Sequence, residues 1–569
     1  MNSQVDVPSF GFVKISWSPL GADVQNQCIL ATLSLDHRLH LCHNRGKGRE
    51  LQKAVDISKL YHEYHKGKNF SALKRGIRGV DKPGVYELML YQLAAVDMCW
   101  SHVFSTTDGD EIRRMLVLFM MTKGGDVVSW RIQVPVVMGE EPQLLGIKST
   151  NMKLPSTCHW CQTEEEKGFL CVGFNDGRVK AMMCIFDGVS GDISLKEEFV
   201  LWEHTDRLAC TDMLWKKQES ALFVVKESFL LKFDLDLTDG LKVTSTPTPV
   251  IQHAMQIVGM CHAEGTTTIT ASEDRMVNMY LHEHGQSGVV RLPHEPKPLR
   301  CHGATLSRNG HLLGVLQSPN YTYNRLKEKT ALKLIFTSLH SRDEIADILL
   351  RGNKQNLTSY SDLIEDLRRQ VFSGQTLPMR LQLLLTDKDL WQTLNSFQKK
   401  LIRFLMIVLI CSTPADDKNM ARMEDLKSDL SVIETMLLCD HIKKSLKQFE
   451  KEAKSKKTER DKAVALTMQN WLQRYESGPA HGSPTIEDSL TVNCPICDED
   501  LKDIASMAAE CRSGHQFPRC CVTLLPCEDL RYRKCYYCDS YALPIVKDSS
   551  WAGELLSMSN CTLCDGILL

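Results

Sequence analysis

The sequence predicts a multidomain chain, a WD-like β-propeller, then an α-helical segment, then a small C-terminal module binding two zinc ions, and three observations carry that prediction. Strand-length apolar runs and turns containing Asp or Gly repeat from Phe12 to about Leu339, and from Asp126 the turns recur at intervals of roughly 40 to 50 residues. Beyond that point the hydrophobic spacing becomes helical. Four short Cys/His pairs then crowd the end of the chain. The divisions that follow are 1–339, 340–475, a flexible linker at 476–490 and 491–569.

Whole-chain properties set the frame. The 569 residues, 43% hydrophobic, suffice for two or three packed domains. A formal net charge of -2 argues against a protein that holds nucleic acid mainly by bulk charge. The longest purely apolar run, Phe404-Leu-Met-Ile-Val-Leu-Ile-Cys411, falls far short of the roughly 20 residues a membrane helix needs, so no membrane partner is expected. Met1-Asn-Ser-Gln-Val-Asp lacks the basic and apolar regions of a secretory signal. The cysteines are therefore expected to be reduced, as in cytosol or nucleus.

Six repeats are visible in the propeller half. The first runs through Val13-Lys-Ile-Ser-Trp17, Ile29-Leu-Ala-Thr-Leu33 and Asp36-His-Arg-Leu-His-Leu41. The second holds Met98-Cys-Trp100, Met115-Leu-Val-Leu-Phe119 and Gly125-Asp-Val-Val-Ser-Trp130, and the third Phe169-Leu-Cys-Val-Gly-Phe174 and Asp176-Gly-Arg-Val-Lys180. Thr211-Asp-Met-Leu-Trp215, Ala221-Leu-Phe-Val-Val225 and Phe229-Leu-Leu-Lys-Phe233 form the fourth. The fifth holds Ile257 to Cys261, Thr268 to Asp274 and Met276 to Tyr280, and the sixth, weaker, Thr305 to Gly310, His311 to Leu316 and Leu334 to Phe336. Propellers usually close by sharing strands between their ends. With the first repeat beginning near Met1, a further blade or partial blade is expected upstream in longer versions.

Residues 45–82 read as a basic insertion between the first two blades, with Tyr61, Tyr64 and Phe70 among its Lys, Arg and His. Its composition suits a phosphate backbone with stacked bases, and equally a solvated loop on a propeller face. His62-Glu-Tyr-His65 is one residue short of the HExxH zinc motif and is discounted. Cys158-His-Trp-Cys161, a lone CxxC within a strand, reads as buried thiols.

The helical segment opens with the capping box Ser341-Arg-Asp-Glu344. Apolar stripes follow at Leu363, Leu367 and Val371, at Leu390 to Leu405, and at Met423 to Leu437. Lys443 to Lys462 reads as a separate, strongly charged helix, able to touch nucleic acid or simply to face water.

The terminal module contains Cys494-Pro-Ile-Cys497, Cys511-x-x-x-His515, Cys535-Tyr-Tyr-Cys538 and Cys561-Thr-Leu-Cys564. Eight soft ligands fill about two tetrahedral zinc sites and leave no open position, so the ions are expected to be structural. Two pairings are open. A crossed arrangement joins Cys494 and Cys497 to Cys535 and Cys538, whereas a sequential one joins them to Cys511 and His515. Cys520, Cys521 and Cys527 lie in the same interval, and Cys521 could displace one of the eight.

Cys494-Pro-Ile-Cys-Asp-Glu499, Cys511-Arg-Ser-Gly-His-Gln-Phe-Pro-Arg-Cys520-Cys-Val-Thr-Leu-Leu-Pro526 and Lys534-Cys-Tyr-Tyr-Cys-Asp539 are the specific part of a family resemblance. With the opening blade, Trp17-Ser-Pro19 and Asp36 to Leu41, the chain resembles the ninety-kilodalton class of propeller and zinc-finger subunits of general transcription factor IIIC. The resemblance implies a nuclear subunit, with other transcription factor IIIC subunits as partners. Recruitment of transcription factor IIIB and RNA polymerase III to transfer-RNA and 5S genes is implied as well. DNA contact is expected to be auxiliary, since the zinc module carries more Asp and Glu than Lys and Arg.

The resemblance further implies a histone acetyltransferase activity using acetyl-CoA. The usual acetyltransferase turn, R/Q-x-x-G-x-G/A, is not found; the nearest match, Gln143-Leu-Leu-Gly146-Ile-Lys148, lacks the final small residue, and no catalytic residue is assigned. The layout is also similar to coat and nutrient-signalling proteins with a propeller, helices and a RING-like finger, some of them ubiquitin ligases. Asp539-Ser-Tyr after the third pair and the long gap to Cys561 speak against that group.

Overall fold

The computed structural model describes residues 11–23, 28–44, 51–67, 82–108, 111–136, 140–238, 241–263, 267–282, 285–292, 299–319, 332–352, 356–414, 419–451, 458–476, 494–505, 507–527, 531–546 and 550–568. They fall into two compact units, residues 1–306 with 314–337, and residues 307–313 with 338–569.

The first unit is a six-bladed β-propeller. Its blades are antiparallel sheets of four, five, four, five, four and three strands. Their innermost strands are Phe12–Trp17, Ala95–Trp100, Pro155–Gln162, Cys210–Lys216, Ile257–Ala263 and Leu299–Leu306. The strand beside the innermost one is buried on both faces, as in Leu30–Ser34 and Ala221–Lys226, because neighbouring blades cover it. Such strands lose the alternation of a half-wet sheet and read as continuous apolar runs. The cores lie between blades: Leu33, Leu118 and Trp130 join the first to the second, and Phe119, Val172 and Phe174 the second to the third.

Aspartates set several of the hairpin turns. Asp176 accepts the Arg178 N–H at 3.1 Å and Asp274 the Met276 N–H at 3.1 Å. In each case the residue between, Gly177 or Arg275, has positive φ. The side chain thus mimics a backbone turn, which is why Asp recurs with the blade period.

At the two ends of the series, apolar faces are open. Val13, Ile15 and Trp17 in the first blade and Leu334 and Phe336 in the last are each more than half exposed.

The innermost strands share a second regularity. Each of the first five has a shift of register on its neighbour, and the residue after the shift is Lys14, Asp97, Thr157, Asp212 or Gly259. Bulges of this kind bend a strand and redirect a side chain.

The basic insertion differs from the expectation. Leu51–Asp56 is the fourth strand of the first blade, and Ile57–Gly67 is a helix, α1. Ile57 and Tyr61, four residues apart on one helical face, are fully buried, and the Tyr61 ring meets Trp130 edge-on at 6.4 Å. Tyr61 is therefore a core residue and not a base-stacking one. Lys82–Leu93 forms α2; Phe70 lies outside the described residues.

The second unit contains α3 (Arg342–Arg351), α4 (Ser361–Phe372), α5 (Met379–Thr386), α6 (Ser396–Ser412), α7 (Met420–Lys451) and α8 (Glu459–Glu476). The Ser341 box forms: its hydroxyl accepts the Glu344 N–H, and Glu344 accepts the Ser341 N–H at 2.7 Å. A second box, Asn395 with Gln398, starts α6 and splits the stripe from Leu390 to Leu405, leaving Leu390 exposed. The stripe from Met423 and the charged run from Lys443 belong to one helix of 32 residues, α7, because Ile433, Leu437, Leu438 and Ile442 carry a single buried face through both. The rest of the charged run, from Glu459, begins α8. Residues 477–493, which include most of the expected linker, are outside the described set.

Residues 307–313 join this unit through Ser307 and Asn309, which donate to Asp362, and His311, whose ring lies 3.0 Å from Asp366.

Candidate metal centres

The eight expected ligands form two groups of four, each with donor atoms mutually within 4.8 Å: Cys494, Cys497, Cys511 and His515, and Cys535, Cys538, Cys561 and Cys564. The pairing is sequential, and the crossed arrangement does not occur.

In centre I the first two thiols come from a knuckle, Cys494 to Glu499. Its chain reverses on two backbone bonds, Cys494 N–H to Glu499 O at 2.7 Å and Asp498 N–H to Cys494 O at 2.8 Å, with Asp498 left-handed. The other two donors leave a hairpin of Ala508–Glu510 with Gln516–Pro518, whose turn depends on Gly514 at φ 83°. Cys511 Sγ lies 3.5 Å from Cys497 Sγ and 3.3 Å from His515 Nδ1, and Cys494 Sγ is 3.6 Å from the same nitrogen. A tetrahedron with Zn–S of about 2.3 Å has edges of about 3.8 Å, so the set fits a zinc ion with little adjustment. Glu499 stands beside it, accepting from the Ser513 N–H and hydroxyl at 2.9 Å each.

Centre II is made from two knuckles, Cys535 to Ser540 and Cys561 to Gly566, closed by the same pair of backbone bonds and the same left-handed aspartate, Asp539 and Asp565. Its sulfurs are 3.4 Å apart for Cys535 and Cys564, 3.6 Å for Cys538 and Cys561, and 3.3 Å for Cys538 and Cys564. Four thiolates around one divalent ion leave a net negative charge, and cations surround it. Lys400 pairs with Asp565, and Arg403, buried and paired with Glu434 at 2.8 Å, faces Cys538 and Cys564. Burial alone would lower the Arg403 pKa; Glu434 and then the two thiolates outweigh it, and the guanidinium is held charged.

Between the centres the chain folds a third knuckle. Cys520 N–H reaches Leu525 O at 2.8 Å, Leu524 N–H reaches Cys520 O at 2.9 Å, and Leu524 is left-handed. Thr523 occupies the place of the second cysteine. Cys520 Sγ accepts the N–H groups of Thr523 and Leu543 instead, and Cys520, Cys521 and Cys527 are buried in the core shared with the helices. None of the three joins either group of four.

Other residues singled out by the sequence sit elsewhere. Cys158 and Cys161 lie on one strand but in different cores, Cys158 between the second and third blades and Cys161 between the third and fourth. Gln143–Ser149 is the outer strand of the second blade, with a shift of register at Leu145, rather than a strand-to-helix turn. The charged pair Lys14 and Asp97, and Asp212, all inside the propeller, were not anticipated. A signal existed: Asp97-Met-Cys-Trp100 and Asp212-Met-Leu-Trp215 repeat one pattern at one blade position.

Comparison with known proteins supplies two family models. The transcription factor IIIC subunit delta β-propeller domain matches residues 3–338, and the zinc finger of the transcription factor IIIC complex matches residues 483–566. "General transcription factor 3C polypeptide 4" of Homo sapiens is 22% identical over 667 aligned positions, covering 98% of this chain and 80% of that protein. Its Mus musculus counterpart is 22% identical over 664, with the same coverage. A solved structure of Sqt1 from Chaetomium thermophilum covers 55% of this chain and 70% of its own at 12% identity, with a TM-score of 0.33.

Proposed function

Because the chain belongs to the transcription factor IIIC delta-subunit family, we propose that it is a scaffold of general transcription factor IIIC in the nucleus. Membership itself implies other transcription factor IIIC subunits as partners. In this reading both compact units present docking surfaces, and the assembly they hold recruits transcription factor IIIB and RNA polymerase III to transfer-RNA and 5S genes. The observation that carries the reading is that the propeller and the terminal zinc module each match a transcription factor IIIC model, while the metal-ligand groups have four protein donors apiece and no vacant position for a substrate. About two zinc ions per chain, both structural, belong to this proposal.

The test is to tag the full chain, purify it from nuclear extract at moderate salt and identify the proteins that accompany it stoichiometrically. Recovery of the remaining transcription factor IIIC subunits is the expected result. Recovery of membrane-coat or lysosomal signalling subunits in their place would overturn it and favour the propeller, helix and RING group.

A further inference from the structure

The innermost strands of the first five blades line a cavity of about 510 Å³. Its wall includes Lys14, Trp17, Trp100, Trp160, His159, Asp212 and Met260. This is the size of a small-ligand site, and the mixture of aromatic surface with few charged groups is of the kind that fixes one ligand group.

The charges on that wall do not balance. At the five bulge positions, in blade order, stand Lys14, Asp97, Thr157, Asp212 and Gly259. Lys14 and Asp97 neutralise each other: the ammonium lies 2.7 and 2.8 Å from the two carboxylate oxygens, and the Cys158 N–H adds a bond to Asp97 at 2.7 Å. Asp212 is flanked at the equivalent positions by a threonine and a glycine. It accepts the Met213 N–H at 2.9 Å, and the nearest cation acting on it is Lys14, already held by Asp97. Asp212 keeps some exposed area because it opens on the cavity, yet it is enclosed by the inner strands; burial pushes its carboxyl up to about 6. Neighbouring His159 is held neutral, down to about 3, first by burial and then by Lys14 and His262. Lys14, Asp97 and Asp212 together therefore carry one net negative charge at neutral pH, with Asp212 as the carboxylate that lines the cavity beside Trp17.

We propose that this axial cavity receives a single basic side chain of a partner polypeptide, an alkylammonium or guanidinium group, with Asp212 as its counter-ion and Trp17 against its stem and face. The carboxylate supplies charge and hydrogen-bond acceptors, and indole faces attract cations. Trp17, more than half exposed, offers the ligand an aromatic surface in contact with solvent. The inference rests on the propeller's own residues and is independent of the transcription factor reading.

The probes are N-acetyl-arginine methylamide and N-acetyl-lysine methylamide, with N-acetyl-glutamine methylamide as neutral control. They are titrated into the full chain and followed by tryptophan fluorescence and ligand-observed saturation transfer at pH 7.5. The expected result is saturable binding of at least one cation, absent for the neutral amide and weakened about tenfold or more in Asp212→Asn. Asparagine retains an acceptor for the Met213 N–H and removes the uncompensated charge. The folded carboxyl is raised from 3.8 to about 6, so stability is lost as the pH rises from about 4 through about 6 and the full cost is present above that. Asp212→Asn should therefore melt above the parent at pH 7.5, by a smaller margin at pH 5, and close to it only near pH 4. Lower affinity together with higher stability separates a ligand-binding carboxylate from a structural one. Met260→Phe, which narrows the cavity from another blade, should weaken the same probe.

Affinity of the parent should also fall from pH 7.5 to pH 5. The other groups facing Asp212 are Lys14 and Asp97, Cys158 and His159, and Cys261 and His262, so the pH effect counts as support only where Asp212→Asn abolishes it. Absence of binding by both cations, equal binding of the neutral amide, or unchanged affinity in Asp212→Asn overturns the proposal.

Discussion

Centre I draws its donors from residues 494–515 and packs on a small core of its own, Phe517 with Leu501, whereas centre II lies in the core that also holds α3 to α8. The ties of centre II to the helices are specific. Asp565, the left-handed residue of its second knuckle, accepts the Leu357 N–H at 2.9 Å and pairs with Lys400 of α6. His441 of α7, kept neutral by burial, meets the Val522 carbonyl at 2.8 Å, and the Thr562 hydroxyl donates to the Cys521 carbonyl at 2.8 Å. Two four-donor sets, one of three cysteines and a histidine and one of four cysteines, are thus put to unequal use: one centre fixes a local ribbon, the other closes the fold of a helical unit.

The largest effect that could break this contrast belongs to Cys564→Ala. It should cost more than about 4 kcal/mol, the scale of a lost metal site, and helix signal in far-ultraviolet circular dichroism should fall with protection across α4 to α8. Retention of full helix protection after loss of the metal would mean that centre II is only appended.

Asp565→Asn comes next. Asparagine tolerates the left-handed conformation and can still accept the Leu357 N–H, so the change isolates the charge pair with Lys400, whose two side chains are both nearly buried. Roughly 3 kcal/mol of stability should be lost in urea unfolding while bound zinc stays constant. A drop in zinc content would show that the aspartate serves the knuckle itself.

Cys494→Ala should have the smallest effect outside its own centre. Zinc should fall by about one ion per chain, and hydrogen exchange should rise over residues 494–518. The helices should melt within about 0.5 kcal/mol of the parent, as for distant independent sites. A co-operative loss of the helices would erase the distinction between the centres.

The eight donors are legible in the sequence because tight turns need fixed spacing between ligands. Their pairing is not, since it depends on which knuckles the β-hairpin at Ala508–Glu510 and the helix Trp551–Leu556, α9, bring together. Propeller strands stand out because burial on both faces leaves unbroken apolar runs. In residues 51–67 high charge concealed a strand and a helix whose buried contribution rests largely on Ile57 and Tyr61. Asp97 and Asp212 escaped notice for a different reason: a charged residue within an apolar run reads as a defect until a bulge is seen to turn it toward the axis.

The third knuckle, Cys520 to Leu525, bears on how the centres fill. It holds a knuckle's shape by backbone bonds and a left-handed Leu524, with threonine where a second ligand would stand. A knuckle, then, is a conformation that the peptide can maintain unaided, and the ion serves to fasten one such loop to another. In kinetic terms each two-thiol knuckle, and the hairpin turn that carries Cys511 and His515, is a preformed chelate, ready at first encounter with a metal. The slow step of loading becomes the meeting of two chelates, a loop-closure search set by the chain between them, 22 residues from Cys538 to Cys561 in centre II and 13 from Cys497 to Cys511 in centre I.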